Sequence, residues 1–77
     1  MKVEDLKVGD ELQDYSRGRH LVVKRIAPFS GGGNGEITYE VVADRPGFGR
    51  VVIRRECKTF RQFERLQFIR RWEDRKQ

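Results

Sequence analysis

The stretch Arg45-Pro46-Gly47-Phe48-Gly49-Arg50 is the part of this sequence best suited to holding a ligand. Glycines on both sides of Phe48 make burial of its ring at a tight turn difficult, and guanidinium groups flank it at positions 45 and 50. A ring presented this way can stack on a nucleobase while the arginines hold nearby phosphates, each stacked base contributing about 1–3 kcal/mol. The competing assignment is a plain hairpin turn whose Phe folds over the mouth of a barrel. Arg17, Arg19, Lys24, Arg25, Arg54 and Arg55 would extend a phosphate-tracking surface. Such contacts hold a polyanion in place without reading its sequence, and they weaken steeply with salt. The same side chains also suit a solvated charged face or a dock for an acidic protein surface.

The inventory for catalysis is thin. Cys57 and His20 are the one thiol and the one imidazole, and no third group to orient a nucleophile and its base is recognisable beside them. The chain is therefore read as non-catalytic. One Cys and one His also fall short of the four ligands of a structural zinc site, so no metal and no cofactor are expected. Asp10, Glu11 and Asp14 cluster near a turn, where neighbouring Lys or Arg would neutralise them. Cys57 reads as a small buried hydrophobe. Gly31-Gly32-Gly33-Asn34-Gly35 lacks the Gly-Lys-Ser/Thr of a phosphate-binding loop and leads into Glu36-Ile37-Thr38, a strand start, so it reads as a flexible connection.

The elements that must position these groups are short. Val8-Gly9-Asp10 turns into a strand through Leu12, and Ser16-Arg17-Gly18-Arg19 is the next turn. His20 to Ala27 reads as a strand with Leu21 and Val23 on one face, and a bulge near Lys24-Arg25 would return Ile26 to that face. Ile37, Tyr39 and Val41 alternate with Thr38, Glu40 and Val42, the period of a half-buried strand. Pro46 and Gly47 are the last two positions of a turn framed by Asp44 and Gly47, or the centre of a type II turn if the frame is Arg45 to Phe48. Arg50 to Arg54 continues as a strand with Val51 and Ile53 inward and Val52 outward. Thr59-Phe60-Arg61-Gln62 matches a helix capping box. The preferred reading is a helical turn near residues 57–62 followed by a strand through about Phe68; one longer C-terminal helix, giving a four-stranded sheet plus helix, is the alternative. Phe60, Phe63, Leu66 and Phe68 are expected in the core, whereas Ile69 and Trp72 are candidates for a docking or dimer contact. Residues 1–72 form one domain, with 73–77 as a frayed tail.

Seventy-seven residues bound what such a chain can be. A single core of this size supplies no more than roughly 3–5 kcal/mol of net stability, which leaves no room for a separate cofactor domain or a deep cleft. Charged residues make up 38%, with a formal net charge of +5. That excess is uneven: residues 16–27 carry four basic and no acidic side chains, and residues 45–77 carry eleven basic and four acidic ones. Residues 1–15 and 28–44 are net acidic. No apolar run approaches a membrane span, no secretory leader is recognisable, and a lone Cys fits a reducing cytoplasm, so no membrane partner is expected.

Leu6-Lys7-Val8-Gly9-Asp10-Glu11-Leu12, Gly18-Arg19 and Val23-Lys24-Arg25-Ile26 resemble the opening of small barrels of the Src homology 3-like class, of the KOW and Tudor types. The resemblance implies a strongly bent antiparallel five-stranded barrel that binds nucleic acid or ribonucleoprotein. Closing a sheet on itself also removes its exposed edges. The chain further resembles short, Arg-rich proteins of actinobacteria and their phages, which suggests a regulatory adaptor docking on a host protein as the second reading. Gly47 to Ile53 is similar to the ribonucleoprotein octamer of RNA-recognition motifs, but Arg50 and Ile53 replace its other aromatics and no helix fits between the first strands.

Overall fold

The computed structural model describes residues 1–72; the expected frayed tail, 73–77, lies outside the described residues. A 3₁₀ turn at Val3–Asp5 precedes β1 (Glu11–Asp14), β2 (Arg19–Pro28), β3 (Gly35–Arg45), β4 (Gly49–Thr59), α1 (Phe60–Glu64) and β5 (Ile69–Arg71). The strands form one antiparallel sheet in the order β4-β3-β2-β1-β5. Strand pairing does not close it into the expected barrel. The ladder ends at β4 on one side and at β5 on the other, because β5 is only three residues long and α1 intervenes between them.

Alternation builds the core face. Ile37, Tyr39 and Val41 on β3 are buried, and they pair with Ile26, Val23 and Leu21 on β2. Residues 21 and 26 share that face only because the register slips between Val23 and Arg25, so Lys24 is the extra residue of a bulge. Leu12 and Ile69 extend the core across β1 and β5. Val3 and Leu6, from the N-terminal turn, are buried in the same cluster.

The capping box forms as the spacing requires. The Gln62 amide donates to Thr59 Oγ1 at 3.1 Å, and the Thr59 amide donates to Gln62 Oε1 at 3.0 Å. It starts the helix three residues later than the turn expected from about residue 57, since β4 runs on to Thr59. Phe63 is fully buried, its ring 5.9 Å from that of Tyr39, so α1 fills the space beneath the open side of the sheet. Phe60 and Leu66 are only partly buried, and Phe68 stands in solvent rather than in the core.

β4 departs most from expectation. The register slips opposite Val41 and Val42, which makes Ile53 an extra residue and leaves both Val52 and Ile53 more than half exposed. Ile53 is therefore not an inward residue. Cys57 is also exposed, beside Glu36 at 3.6 Å, rather than a buried hydrophobe.

The Gly-rich segment divides into two parts with different physics. Gly31, Gly32 and Gly33 take positive φ in an open loop closed by Phe29 N donating to Asn34 O at 2.8 Å. Gly35 is the buried first residue of β3, and a Cβ there would lie 2.5 Å from both the Ala27 carbonyl oxygen and the Phe60 ring. Gly35→Ala is expected to cost about 2–3 kcal/mol, lowering the melting temperature by roughly 10–20 °C. Gly33→Asn, in open space with a left-handed φ that Asn accepts, should cost less than about 1 kcal/mol. Equal melting shifts for the two variants would refute the packing of Phe60 on Gly35.

Candidate nucleic-acid interface

Register brings several turns to one end of the sheet. Asp14 faces Arg19 on one side and Ile69 on the other, His20 faces Val42, and Asp44 faces Arg50. The β1–β2 turn, the β3–β4 turn and the start of β5 therefore lie together. Arg17, Arg45, Phe48 and Arg50 are gathered there from two separate turns.

The β3–β4 turn has the frame that Pro46 and Gly47 call for. Phe48 N donates to Arg45 O at 3.0 Å, and Gly47 sits at φ +82°, the value the third position of a type II turn demands. Phe48 is 83% exposed, so its ring does not fold over the core. Arg17 and Arg45 have no carboxylate partner among the described residues. Arg50 is paired, at 3.0 Å from Glu11 Oε1 and 4.0 Å from Asp44 Oδ1.

Arg19 plays a different part from the phosphate contact expected of it. Its side chain is only 19% exposed and bridges Asp14 at 3.1 Å and Glu56 at 3.0 Å. Ser16 donates to Asp14 Oδ1 from both backbone and hydroxyl, at 3.0 and 2.6 Å, and Tyr39 donates its hydroxyl to Glu56 Oε1 at 2.7 Å. Burial by itself would raise the pKa of Asp14, but the hydrogen bonds from Ser16 and Arg19 outweigh it and hold the group below its ordinary value. The Tyr39 hydroxyl is the main cause that lowers Glu56, with burial opposing and Arg19 adding to it. Burial and the adjacent Glu56 push the Tyr39 phenol well above its ordinary value.

Two further cations on β4, Arg54 and Arg55, are exposed but paired. Arg54 lies 3.3 Å from Glu56, and Arg55 lies 2.9 Å from Glu40, which Lys24 approaches at 3.7 Å. The hydrogen bond from Arg55 is the leading cause that lowers Glu40. The carboxylates near the first turn are neutralised in the manner expected, Asp10 by Arg71 at 3.2 Å, Glu11 by Arg50 and Asp14 by Arg19.

Ile69, a docking candidate in the sequence, is buried in the core and cannot present its side chain to a partner. Trp72 stacks flat on His20, with centroids 3.7 Å apart and planes 8° from parallel. His20 Nε2 is 2.7 Å from Glu11 Oε1 but off the hydrogen-bond axis. Gln13, His20, Val42, Asp44, Ile53 and Trp72 line a groove of about 340 Å³ beside the sheet end. Cys57 and His20 do not meet: they pair with Thr38 and Val42, four residues apart on β3, or roughly 13 Å.

Two more exposed rings, Tyr15 and Phe68, stand at this end, with the Arg70 guanidinium 5.6 Å from the Tyr15 centroid. Sequence reasoning missed them because the faces of β5 depend on the exact length of the segment after α1. The one available signal was Tyr15 immediately before a Ser-Arg-Gly turn, where a large ring has little to pack against.

No protein-family model matches the chain, and no curated protein or solved structure shows significant similarity to it.

Because the folded pKa values of Asp14 and Glu56 are depressed, their stabilisation is complete above the ordinary values of 3.8 and 4.5 and is lost as pH falls through the lower folded values. Tyr39→Phe removes the hydroxyl that Glu56 depends on and should cost about 1.5–3 kcal/mol at neutral pH. Glu56 then titrates closer to its ordinary value, so the gap between variant and parent should narrow as pH drops below about 4. Urea unfolding at neutral and acid pH reads this, and a gap that stays constant would place the hydroxyl outside the network.

Proposed function

We propose that this protein is a non-catalytic nucleic-acid-binding module. The observation that carries the reading is Phe48, exposed between Arg45 and Arg50 on the β3–β4 turn, at the same end of the sheet as Arg17 on the β1–β2 turn. Arg54 and Arg55 add basic side chains along β4, one on each face of the strand. Exposed rings beside guanidinium groups bind bases by their faces and phosphates by their charge, the combination that single-strand binders use. Arg17 and Arg45 are the cations best placed to contact phosphate, because neither must leave a carboxylate to do so. Arg50, Arg54 and Arg55 would exchange or share their present partners.

The scaffold is read as a partly open barrel of the Src homology 3-like class. In support, β1 pairs with both β2 and β5, and a five-residue helix separates β4 from β5. Among the described residues no helix is long and apolar enough to cross a membrane. A second reading, an adaptor that docks on an acidic partner protein, is favoured by a different observation. β4 has one edge with no strand paired to it among the described residues, and it carries exposed Val52 and Ile53.

Fluorescence anisotropy with mixed-sequence single strands and duplexes tests the first reading. Affinity should be measurable at about 50 mM salt and fall roughly 100-fold by about 200 mM, as expected for four or five phosphate contacts. Phe48→Ala should weaken single-strand binding about tenfold and duplex binding much less. Absence of binding at low salt would end the nucleic-acid reading, and equal losses on both ligands would remove Phe48 from the site.

A further inference from the structure

The sheet end holds more than the Phe48 turn. Arg70, Gln13, His20, Val42 and Val52 are successive cross-strand partners, one from each strand in the order β5, β1, β2, β3 and β4. Directly paired residues project from the same face of a sheet. They therefore form a row across the whole sheet, perpendicular to the strands, about 19 Å long when followed along the curl of the sheet at four inter-strand spacings of about 4.8 Å.

Both ends of the row carry exposed aromatic rings beside cations. At the β5 end, Tyr15 N donates to Phe68 O at 2.8 Å, which holds the end of β1 against the start of β5. The two rings are 44% and 58% exposed, and with Gln67 and Arg70 they line a shallow pocket of about 250 Å³. Arg70 lies over Tyr15 and has no carboxylate partner among the described residues. At the β4 end, Phe48 stands between Arg45 and Arg50. Between these ends lies the groove that contains the His20–Trp72 stack. Gln13 Oε1 is buried at its wall without a hydrogen-bond partner, an acceptor that a base N–H can satisfy.

We propose that single-stranded nucleic acid crosses the sheet along this row, with Tyr15 and Phe68 as a second stacking platform opposite Phe48 and a base edge entering the groove toward Gln13. The proposal rests on the nucleic-acid reading above and narrows it to single strands. Stacking on rings at both ends requires unpaired bases with open faces, which a duplex does not offer. Asp44 lines the groove and Glu11 lies against its His20, so the bases face the groove and the phosphates face Arg45 and Arg70. An acidic peptide could satisfy the arginines but has no faces for the separated rings.

The test is anisotropy with labelled oligothymidylate of about 16 nucleotides and a duplex of equal length, both within the length range that small single-strand modules occupy. The protein should prefer the single strand. Tyr15→Ala/Phe68→Ala should lose at least about tenfold in affinity for oligothymidylate while duplex affinity and the melting temperature stay unchanged, and Tyr15→Phe/Phe68→Tyr should bind like the parent. Parent-like binding by Tyr15→Ala/Phe68→Ala, alongside a loss in Phe48→Ala, would overturn the second platform and leave the general reading standing. Equal losses on single strand and duplex would overturn it as well. Failure of the parent protein to bind any oligonucleotide, or binding to polyglutamate alone, would overturn both.

Discussion

The Arg19 guanidinium reaches Asp14 on β1 and Glu56 on β4, strands that β2 and β3 separate in the sheet. Such a bridge exists only if the sheet curls until its far strand approaches β1. Backbone pairing does not close the curl, so side chains hold it. Arg50 on β4 reaches Glu11 on β1, Glu64 of α1 accepts from the Val3 amide at 2.9 Å, and Arg71 on β5 bonds to Asp10 and to the Asp5 carbonyl. Removing one partner from a half-buried charge network costs far more than the network contributes over an apolar substitute. Its role is to fix which curvature the sheet adopts, and the remaining geometry follows from that curvature.

This closure divides the arginines into two populations that composition cannot separate. Arg19, Arg50, Arg54, Arg55 and Arg71 are matched to carboxylates supplied by the acidic segments. Arg17, Arg25, Arg45, Arg61, Arg65 and Arg70 have no such partner among the described residues; Arg17, Arg45 and Arg70 stand near one end of the sheet, whereas Arg25 lies along β2 and Arg61 and Arg65 lie on and just after α1. Part of the positive charge is thus neutralised within the fold, and of the arginines left over three share one end of the sheet. A cluster of unneutralised cations raises local potential more than the same number scattered over the surface.

What the sequence disclosed was whatever local geometry determines. The β2 bulge follows from three apolar residues at spacings of two and three, the capping box from Thr59 and Gln62, and the type II turn from Pro46 and Gly47. What it hid depends on phase. A slip of one residue turns every side chain of a strand to the other face, and two such slips went unread. The bulge at Ile53 follows no composition signal, since Val-Val-Ile fits either face. The phase of β5 depends on where α1 stops, and this places Ile69 in the core and Phe68 in water, the reverse of the sequence expectation. The open ladder was likewise a global property, since it depends on the three-residue length of β5 and on the strand order.

The exposed rings carry an energetic argument of their own. Burying a Phe side chain is worth about 1.5–3 kcal/mol, whereas a domain of this size has roughly 3–5 kcal/mol of net stability to draw on. The chain leaves Phe48, Tyr15 and Phe68 in water at one end while Phe63 and Tyr39 are fully enclosed nearby. Isolated exposed apolar residues need no explanation, and Phe29 in the β2–β3 loop is one such, but Phe48 on one side and Tyr15 and Phe68 on the other side of the same sheet end stand beside arginines and have defined chemistry. Gly47 and Gly49 flank Phe48 with positive φ, so the backbone at that turn is shaped to hold the ring out. The same turn that denies Phe48 a place in the core gives it two flanking arginines, and a flat, positively bordered surface is the form a nucleobase and its phosphate would fit.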